Sequence, residues 1–330
     1  MIIVLFFTIL LFVFIIGLCI GSFLNVVILR ALSNESIVYP ASKCPKCGQT
    51  LLWWHNIPVL SYILLRGKCG FCGEKISIQY PVVELLTGLM FAILFLEYGN
   101  SWDTLFGWIV GSLLIVIAGT DWREKVVFDM HTYLLMGAGL VYSIIATGYN
   151  IYQNYAILGG FQFSTEWLVN NPVTGSLLGI IIGFVLLEAV ARLGYLAAGT
   201  RAFGEGDSFI AAGLGSVFGW KALIGILILS VIIQFIITLP VFIKKEIDNR
   251  NWMTVLSLAA FIIYTAAFFM AQQFGWLANS TAYTASALVL AGLGIFTCRE
   301  ILIGIKNPEN RTYLPFGPAM ILAGFVILLL

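Results

Sequence analysis

Long apolar stretches recur along the whole chain, separated by short polar segments. Each stretch has roughly the length of about 20 residues that a helix needs to cross a bilayer. The pattern predicts an all-α polytopic membrane protein with about eight to ten transmembrane helices. The sixth candidate is short and is expected to form a half-helix that leads into the seventh. The candidate ranges are 3–29, 82–97, 104–120, 126–147, 174–198, 208–219, 222–243, 253–273, 281–298 and 314–330.

The composition agrees with a protein that is embedded in a lipid bilayer. Hydrophobic residues make up 60% of the 330 residues, charged residues make up only 10%, and the mean hydropathy is +1.00. Soluble domains carry about 25% charged residues. These values exclude a soluble globular enzyme, a disordered tail and a protein that binds nucleic acid. The net charge of +1 indicates no particular partner.

The positions of the basic residues predict how the chain is oriented. Of 17 Lys and Arg residues, all but Lys221 fall on alternate loops between the candidate helices. Because cytoplasmic loops are enriched in Lys and Arg, we expect the N-terminus outside and the odd-numbered loops in the cytoplasm. The residues on these loops are Arg30, Lys43, Lys46, Arg66, Lys68, Lys75, Arg123, Lys125, Arg192, Arg201, Lys244, Lys245, Arg250, Arg299, Lys306 and Arg311.

The first of these loops carries two cysteine pairs. Cys44 and Cys47 form one C-x2-C pair, and Cys69 and Cys72 form a second one 21 residues later. The spacing is typical of a four-thiolate zinc site. Disulfides are disfavoured in the cytoplasm, so we expect a structural Zn²⁺ that stabilises a loop with little core of its own. Four thiolates leave no open position for catalysis by the metal.

Two aspartates lie at the ends of predicted helices, where acids are rare. Asp121 closes the third helix, and Asp207 opens the sixth within Gly204-Glu205-Gly206-Asp207. On the expected topology both lie at the cytoplasmic face. Two close carboxylates that share one proton can act as the base and the acid of an aspartyl hydrolase. Taken alone, each aspartate could equally be a helix cap or a partner of a nearby arginine.

Other titratable residues indicate less. Glu84, just inside the second helix, could hold a neighbouring helix by a hydrogen bond or could contact a ligand. Glu188 precedes Arg192 by four residues, which predicts an ordinary ion pair on one helix face. His55 and His131 have no partnering Ser or Cys pattern, so a histidine-based hydrolase is unsupported.

An ordered set of motifs resembles the bacterial type IV prepilin peptidases, also called leader peptidase/N-methyltransferases. The likeness covers about 1–243 and 312–330. It lies in Gly21–Val27, Pro40–Cys47, Asn56–Tyr62, Arg66–Cys69, Tyr80–Leu85, Asp121, Gly204–Asp207, Ala211–Gly215, Gly219-Trp220 and Leu314–Pro318. Phe128-Asp129 and Ser208-Phe209 depart from residues that are common in the family, which leaves the fine substrate preference open.

The resemblance implies an activity and its residues. Asp121 and Asp207 would be the catalytic aspartates of a membrane endopeptidase that removes the leader of type IV prepilins or pseudopilins at the cytoplasmic face. The same protein would methylate the new N-terminus with S-adenosylmethionine. Gly67 and Lys68 align with positions linked to that methyl transfer. A location in the bacterial cytoplasmic membrane, with contacts to pilus or secretion machinery, would follow.

The expected organisation has three parts. Residues 1–30 form the first transmembrane helix, 31–80 form a cytoplasmic four-cysteine zinc-binding domain linked to methylation, and 81–330 form the transmembrane peptidase domain. Within the last part, 250–311 carries two additional helices that the family pattern lacks and that have no assigned chemistry.

Two other functions compete with the peptidase. An ion-coupled transporter or channel could carry acids within its helices and dock through a zinc-stapled loop, but transporters place such acids near the bilayer midplane, often in symmetric halves. A scaffold for pilus assembly that has lost catalysis would not need both Asp121 and Asp207.

Overall fold

A computed structural model describes residues 2–33, 35–158, 167, 170–198, 204–274, 280–306 and 315–329. Helices dominate the described residues, and the only β-pairing there is two isolated bridges. The predicted all-α class is therefore confirmed. The helices are α1 Ile2–Ser33, α2 Leu60–Leu64, α3 Gln79–Tyr98, α4 Trp102–Glu124, α5 Asp129–Leu158, α6 Pro172–Ala198, α7 Glu205–Asp248, α8 Trp252–Gln273, α9 Ser280–Lys306 and α10 Gly317–Leu328, with a 3₁₀ turn at Trp53–Asn56.

The length and hydropathy of the helices indicate a multi-pass membrane protein. Among the described residues, seven helices (α1 and α3–α8) are long and apolar enough to cross a membrane, and two shorter apolar segments lie at Thr281–Thr297 and Gly317–Leu328. The orientation stays a prediction from the basic residues. Two of these residues, Arg201 and Arg311, lie outside the described part of the chain.

Helix α7 is interrupted at Gly219. The backbone there has φ +75° and ψ 165°, which are not helical angles. A positive φ is readily adopted only by glycine, so this residue ends one helical segment and permits the next. This break confirms the prediction from sequence that a short helix, 208–219, leads into the helix at 222–243.

The chain divides into two compact units. One comprises 1–233 and 315–330, and the other comprises 234–314. In the second unit α8 packs on α9, where Thr297 Oγ1 donates to the Ser257 carbonyl at 3.2 Å and Tyr264 donates to the Ser286 carbonyl at 3.3 Å. The segment 250–311, expected from sequence to be an addition to the family pattern, falls within the bounds of this unit. All residues of the candidate sites lie in the first unit.

Helix α4 lies at the centre of the first unit because opposite faces of it enter two hydrophobic clusters. Leu114 and Ile117 pack with residues of α5, α7 and α10, whereas Ile115 and Val116 pack with residues of α1 and α3. A helix that is apolar on all sides is expected to be buried. Asp121 follows directly on this run, so tertiary packing fixes the helix end that carries it.

Small residues allow helices of the first unit to approach closely. A methyl group at Gly17 would lie 2.8 Å from Gly88 Cα, so α1 and α3 meet almost backbone to backbone. On α6, Gly179 and Gly183 lie against Gly215 and Ala211 of α7 in the same way. Such contacts are typical of membrane helix packing, and they hold the N-terminal part of α7, which carries Asp207.

Candidate functional site

Asp121 lies in the last turn of α4 and is buried, with 4% of its surface exposed. The helix ends at Lys125, which adopts a left-handed conformation with φ 55° and donates its N–H to the Asp121 carbonyl at 2.9 Å. The side-chain atom Oδ2 of Asp121 is buried and has no hydrogen-bond partner among the residues that the structure describes. A buried carboxyl oxygen without a partner is costly in a folded protein, which marks this position as a candidate for chemistry.

Asp207 lies in the first turn of α7 and is also buried, with 7% of its surface exposed. Its Oδ2 accepts the backbone N–H of Gly204 at 3.0 Å. Asp207 is the third residue of the helix, and Gly204 directly precedes the first. The hydrogen bond between them is one of the two that form a capping box. The sequence alternative of a helix cap is therefore part of what Asp207 does.

Gly317, the first residue of α10, lies between the two aspartates. Its backbone N–H interacts with the Asp207 carboxyl group. Its Cα faces Asp121 so closely that an added methyl group would overlap Asp121 Oδ2 and lie 2.9 Å from Ile210 Cδ1. The two carboxyl groups are also close enough to interact electrostatically. Three helix ends that are distant in sequence thus meet at one end of the bundle.

The arrangement has the properties that a carboxylate pair needs. Within the described part of the chain, neither Asp121 nor Asp207 forms a salt bridge, so the alternative of an arginine partner finds no support there. Both groups are removed from bulk water but are next to each other. Such a pair holds one proton between its members and can act as acid and base together.

The four paired cysteines come together in the loop between α1 and α3. Their sulfur atoms all lie within 4.8 Å of one another, and Cys44 Sγ lies 3.9 Å from Cys72 Sγ. Both pairs lie on the same kind of turn. In each, the glycine after the second cysteine donates its N–H to the carbonyl of the first, at 2.9 Å for Gly48 and 3.0 Å for Gly73.

These residues fit a tetrahedral metal ion. Zinc–thiolate bonds of about 2.3 Å place neighbouring sulfurs about 3.8 Å apart in a tetrahedron, and the Cys44–Cys72 distance is close to that value. Hydrogen bonds from the backbone N–H groups of Cys47 and Lys46 lower the pKa of the Cys44 thiol to about 7. Desolvation and the side chains of the other three cysteines raise the pKa of Cys72 to about 11. Four close thiols thus oppose one another's ionisation, and a bound cation would favour the thiolate form that metals require.

Gly67 and Lys68 lie on the second cysteine turn. Gly67 has φ +67°, and a methyl group there would lie 3.0 Å from the Tyr62 hydroxyl. Lys68 forms an isolated β-bridge with Lys75, and the Gly67 carbonyl accepts the N–H of Ile76 at 2.8 Å. Both residues therefore support the polypeptide around the cysteine cluster, away from the aspartates.

Glu84 attaches this loop to α3. It is buried, and its Oε2 accepts the backbone N–H of Val59 at 2.7 Å. Val59 has an unusual backbone conformation with φ 60°, which the bond from Glu84 helps to hold. Of the two roles considered from sequence, the structure shows the hydrogen bond to a neighbouring segment.

Comparisons with known proteins agree with the motifs. Two family models match, the Bacterial Peptidase A24 N-terminal domain over residues 15–98 and the Type IV leader peptidase family over 108–239. The first range contains the cysteine loop, and the second contains both aspartates. No solved structure matches the chain significantly.

Curated relatives named "Prepilin leader peptidase/N-methyltransferase" are similar over most of the chain. The protein of Neisseria gonorrhoeae is 32% identical over 276 residues, which is 76% of this chain and 88% of the relative. That of Klebsiella pneumoniae is 33% identical over 66% of this chain and 89% of the relative. That of Myxococcus xanthus is 34% identical over 66% of this chain, and the match spans 59% of that longer relative. The chain therefore belongs to the type IV leader peptidase family.

Proposed function

We propose that this protein cleaves the leader from type IV prepilins or pseudopilins and methylates the new N-terminal residue with S-adenosylmethionine. The observation that carries the proposal is the pair of buried aspartates, Asp121 and Asp207, with Gly317 between them. Family membership and the names of the relatives support both activities.

The surroundings of the two carboxyl groups support the following roles in cleavage. Asp207 accepts a backbone N–H from Gly204 and interacts with that of Gly317, and an ionised carboxylate suits such donors because it only accepts hydrogen bonds. Asp207 is therefore the base, which takes a proton from water as the water oxygen attacks the scissile carbonyl carbon. Asp121, whose Oδ2 finds no partner within the described part of the chain, carries the shared proton and polarises the carbonyl oxygen. When the peptide bond breaks, the leaving amine takes a proton from the pair.

The cysteine cluster has a structural role in this proposal. Cys44, Cys47, Cys69 and Cys72 would hold one Zn²⁺, whose charge and four bonds stabilise the fold of a loop with little hydrophobic core. Residues 31–80 would form the cytoplasmic domain linked to methylation, and 81–330 would form the peptidase domain. The N-terminus would lie outside the cytoplasmic membrane, with the aspartates at its cytoplasmic face.

The alternative function considered from sequence, an ion-coupled transporter or channel, is not supported. The relatives above are all named as peptidases and methyltransferases. Asp121 and Asp207 lie at helix ends, whereas transporter acids lie near the bilayer midplane.

Mass spectrometry of a type IV prepilin, produced with and without this protein, tests the proposal. We expect loss of the leader and a mature N-terminus that is heavier by one methylene unit. A prepilin whose leader remains attached in the presence of folded, membrane-inserted protein would refute the proposed peptidase. A cleaved pilin without the added mass would refute the methyltransferase half alone.

A further inference from the structure

The loop that carries the cysteine pairs contains an uncharged stretch, residues 51–65. None of these 15 residues is Asp, Glu, Lys or Arg, and 11 of them are apolar. About 20 apolar residues are needed to cross a bilayer, and shorter apolar stretches are usually buried in a protein core or lie at the membrane interface. Basic residues flank the stretch, with Lys46 before it and Arg66 and Lys68 after it. The structure distinguishes between core and interface.

The apolar side chains of this stretch are not buried in a protein core. Among the described residues, Trp53, Ile63 and Leu64 keep 75%, 63% and 71% of their surface exposed, and Trp54 and Leu60 keep 47% and 48%. The two indole rings meet edge to face, with 5.5 Å between their centroids, so they form one apolar surface. Exposed apolar patches mark surfaces that contact a membrane or another protein.

Helix α2 turns its apolar face outwards. Leu60, Ile63 and Leu64 are spaced as i, i+3 and i+4, which places them on one face of the helix, and all three are exposed. Ser61 and Tyr62 instead line a cavity beneath the loop. A helix at the surface of a soluble domain turns its polar side chains to the solvent. The reversed arrangement of α2 fits a surface that is surrounded by lipid.

One hydrogen bond fixes the depth of the stretch relative to the membrane. Val59 donates its backbone N–H to Glu84 Oε2 at 2.7 Å. Glu84 comes five residues after Gln79, where α3 begins, which is about 7.5 Å along the helix axis. The 20 residues of α3 span about 30 Å, the thickness of the hydrocarbon core. The level of Val59 therefore lies within the bilayer, where α3 also exposes Leu85 and Leu86.

The backbone of the stretch has the hydrogen bonds that a medium without water requires. In lipid, each backbone N–H must find its partner within the protein. Ser61, Ile63 and Leu65 donate to the carbonyls four residues earlier, at 3.0, 3.1 and 2.9 Å. Pro58 has no N–H, and that of Val59 is bound to Glu84. This part of the loop can therefore enter the lipid without leaving these donors unpaired.

We propose that residues 51–65 form an interfacial segment, which lies in the membrane surface and inserts its exposed apolar side chains between lipids. The depth of Val59 favours lipid over a soluble protein partner. Tryptophan suits this region because its ring contacts acyl chains while its N–H reaches the headgroups. The flanking residues Lys46, Arg66 and Lys68 complement anionic headgroups. The bilayer thus holds the cysteine loop from outside, while Glu84 of α3 holds it from within. The proposal is independent of both proposed activities.

Photo-crosslinking from single positions of the full-length protein tests the segment. The protein is reconstituted in vesicles of phosphatidylethanolamine and phosphatidylglycerol, with the photoreactive amino acid benzoylphenylalanine in place of Trp53, Leu64, Gln49 or Leu86 in turn. Gln49 is an exposed polar residue after the first cysteine pair, and Leu86 is an exposed residue of the membrane-spanning helix α3. Positions 53 and 64 should give about tenfold more lipid adducts than position 49, as expected for side chains that enter the interface by about 5–10 Å.

The two reference positions make the outcome decisive. Lipid labelling at positions 53 and 64 that is no stronger than at position 49, while position 86 is labelled, would overturn the proposal. Cross-links to a second copy of this chain or to a prepilin in the same vesicles, in place of lipid, would overturn it as well.

Tryptophan fluorescence gives a second measurement. Trp53→Phe keeps an aromatic ring in the segment, and the emission that this change removes belongs to Trp53. That emission should lose most of its intensity in vesicles whose acyl chains carry bromine, which quenches fluorescence only at short range. Emission from Trp53 that brominated lipids leave unchanged would contradict the proposal.

Discussion

Replacing Gly317 by alanine tests how the two aspartates are held together. The added methyl group would overlap Asp121 Oδ2 and lie 2.9 Å from Ile210 Cδ1. Both neighbours belong to packed helices, so the start of α10 must shift. That shift moves the Gly317 N–H away from the carboxyl group of Asp207.

The size of the effect follows from the lost contact. The Gly317 N–H acts on the Asp207 carboxyl group electrostatically, and the energy of a full hydrogen bond to a charged group, about 1.5–3 kcal/mol, is the upper bound of its contribution. Loss of this interaction therefore lowers the cleavage rate by up to about 150-fold, at about 1.4 kcal/mol per factor of ten. Alanine stabilises a helix by about 1 kcal/mol relative to glycine. Helix propensity would therefore stabilise α10 and oppose the disturbance that the overlap causes.

The assay measures leader removal from a purified prepilin by the detergent-solubilised protein under single-turnover conditions. Gly324→Ala in the same helix is the matched control, because a methyl group there meets the flexible end of Leu214, with the atom Cδ2 2.9 Å away, and no aspartate. We expect Gly317→Ala to cleave slowly and Gly324→Ala to cleave nearly normally. Full activity of Gly317→Ala, or equal loss in both variants, would refute the role assigned to the Gly317 contact.

Three further changes test other parts of the molecule. Cys47→Ser should remove the metal and destabilise residues 31–80, since three thiolates hold zinc more weakly than four. Elemental analysis of the purified protein should find one zinc per unchanged chain. Finding no zinc in the unchanged protein would contradict the proposal. Gly179→Ala should lower the free energy of unfolding by about 1–3 kcal/mol through overpacking against Gly215. Gly137→Ala is the control, because among the described residues an added methyl group there meets nothing within 4 Å apart from its own helix backbone and chain neighbours. Equal melting temperatures of the two variants would contradict the close packing. Asp207→Asn should still methylate a pilin that is supplied already cleaved, because methyl transfer needs no aspartate pair. If the folded variant binds the methyl donor but leaves this pilin unmodified, the sites of cleavage and methylation are not independent.

Features that depend on local sequence were predictable. Hydropathy over about 20 residues decides whether a segment spans a membrane, so the helices and even the break at Gly219 followed from the pattern. The C-x2-C spacing likewise predicted that four sulfurs would meet, because each pair needs only one tight turn. The presence of the two aspartates at helix ends was also visible.

Features that depend on contacts between distant segments were not predictable. Gly317 was recognised only as part of a terminal motif, yet it contacts Asp121 and Asp207, which lie on two other helices. No local pattern encodes such a contact. Gly67 and Lys68 were expected to serve methyl transfer, but only the folded loop shows that Gly67 packs against Tyr62 and that Lys68 pairs with Lys75. The close contact of Gly179 with Gly215 likewise required the structure, because the two residues lie on different helices.

Cleavage by Asp121→Asn and Asp207→Asn tests the central claim most directly. An asparagine keeps the size of the side chain but can neither take a proton from water nor share one with its partner. We predict that each variant inserts, binds zinc and loses at least about a thousandfold in the rate of leader removal, the scale of combined acid–base and electrostatic catalysis. Asp129→Asn, eight residues after Asp121, is the control and should cleave normally. Substantial leader removal by either folded variant would contradict the assignment of this aspartate pair as the catalytic site.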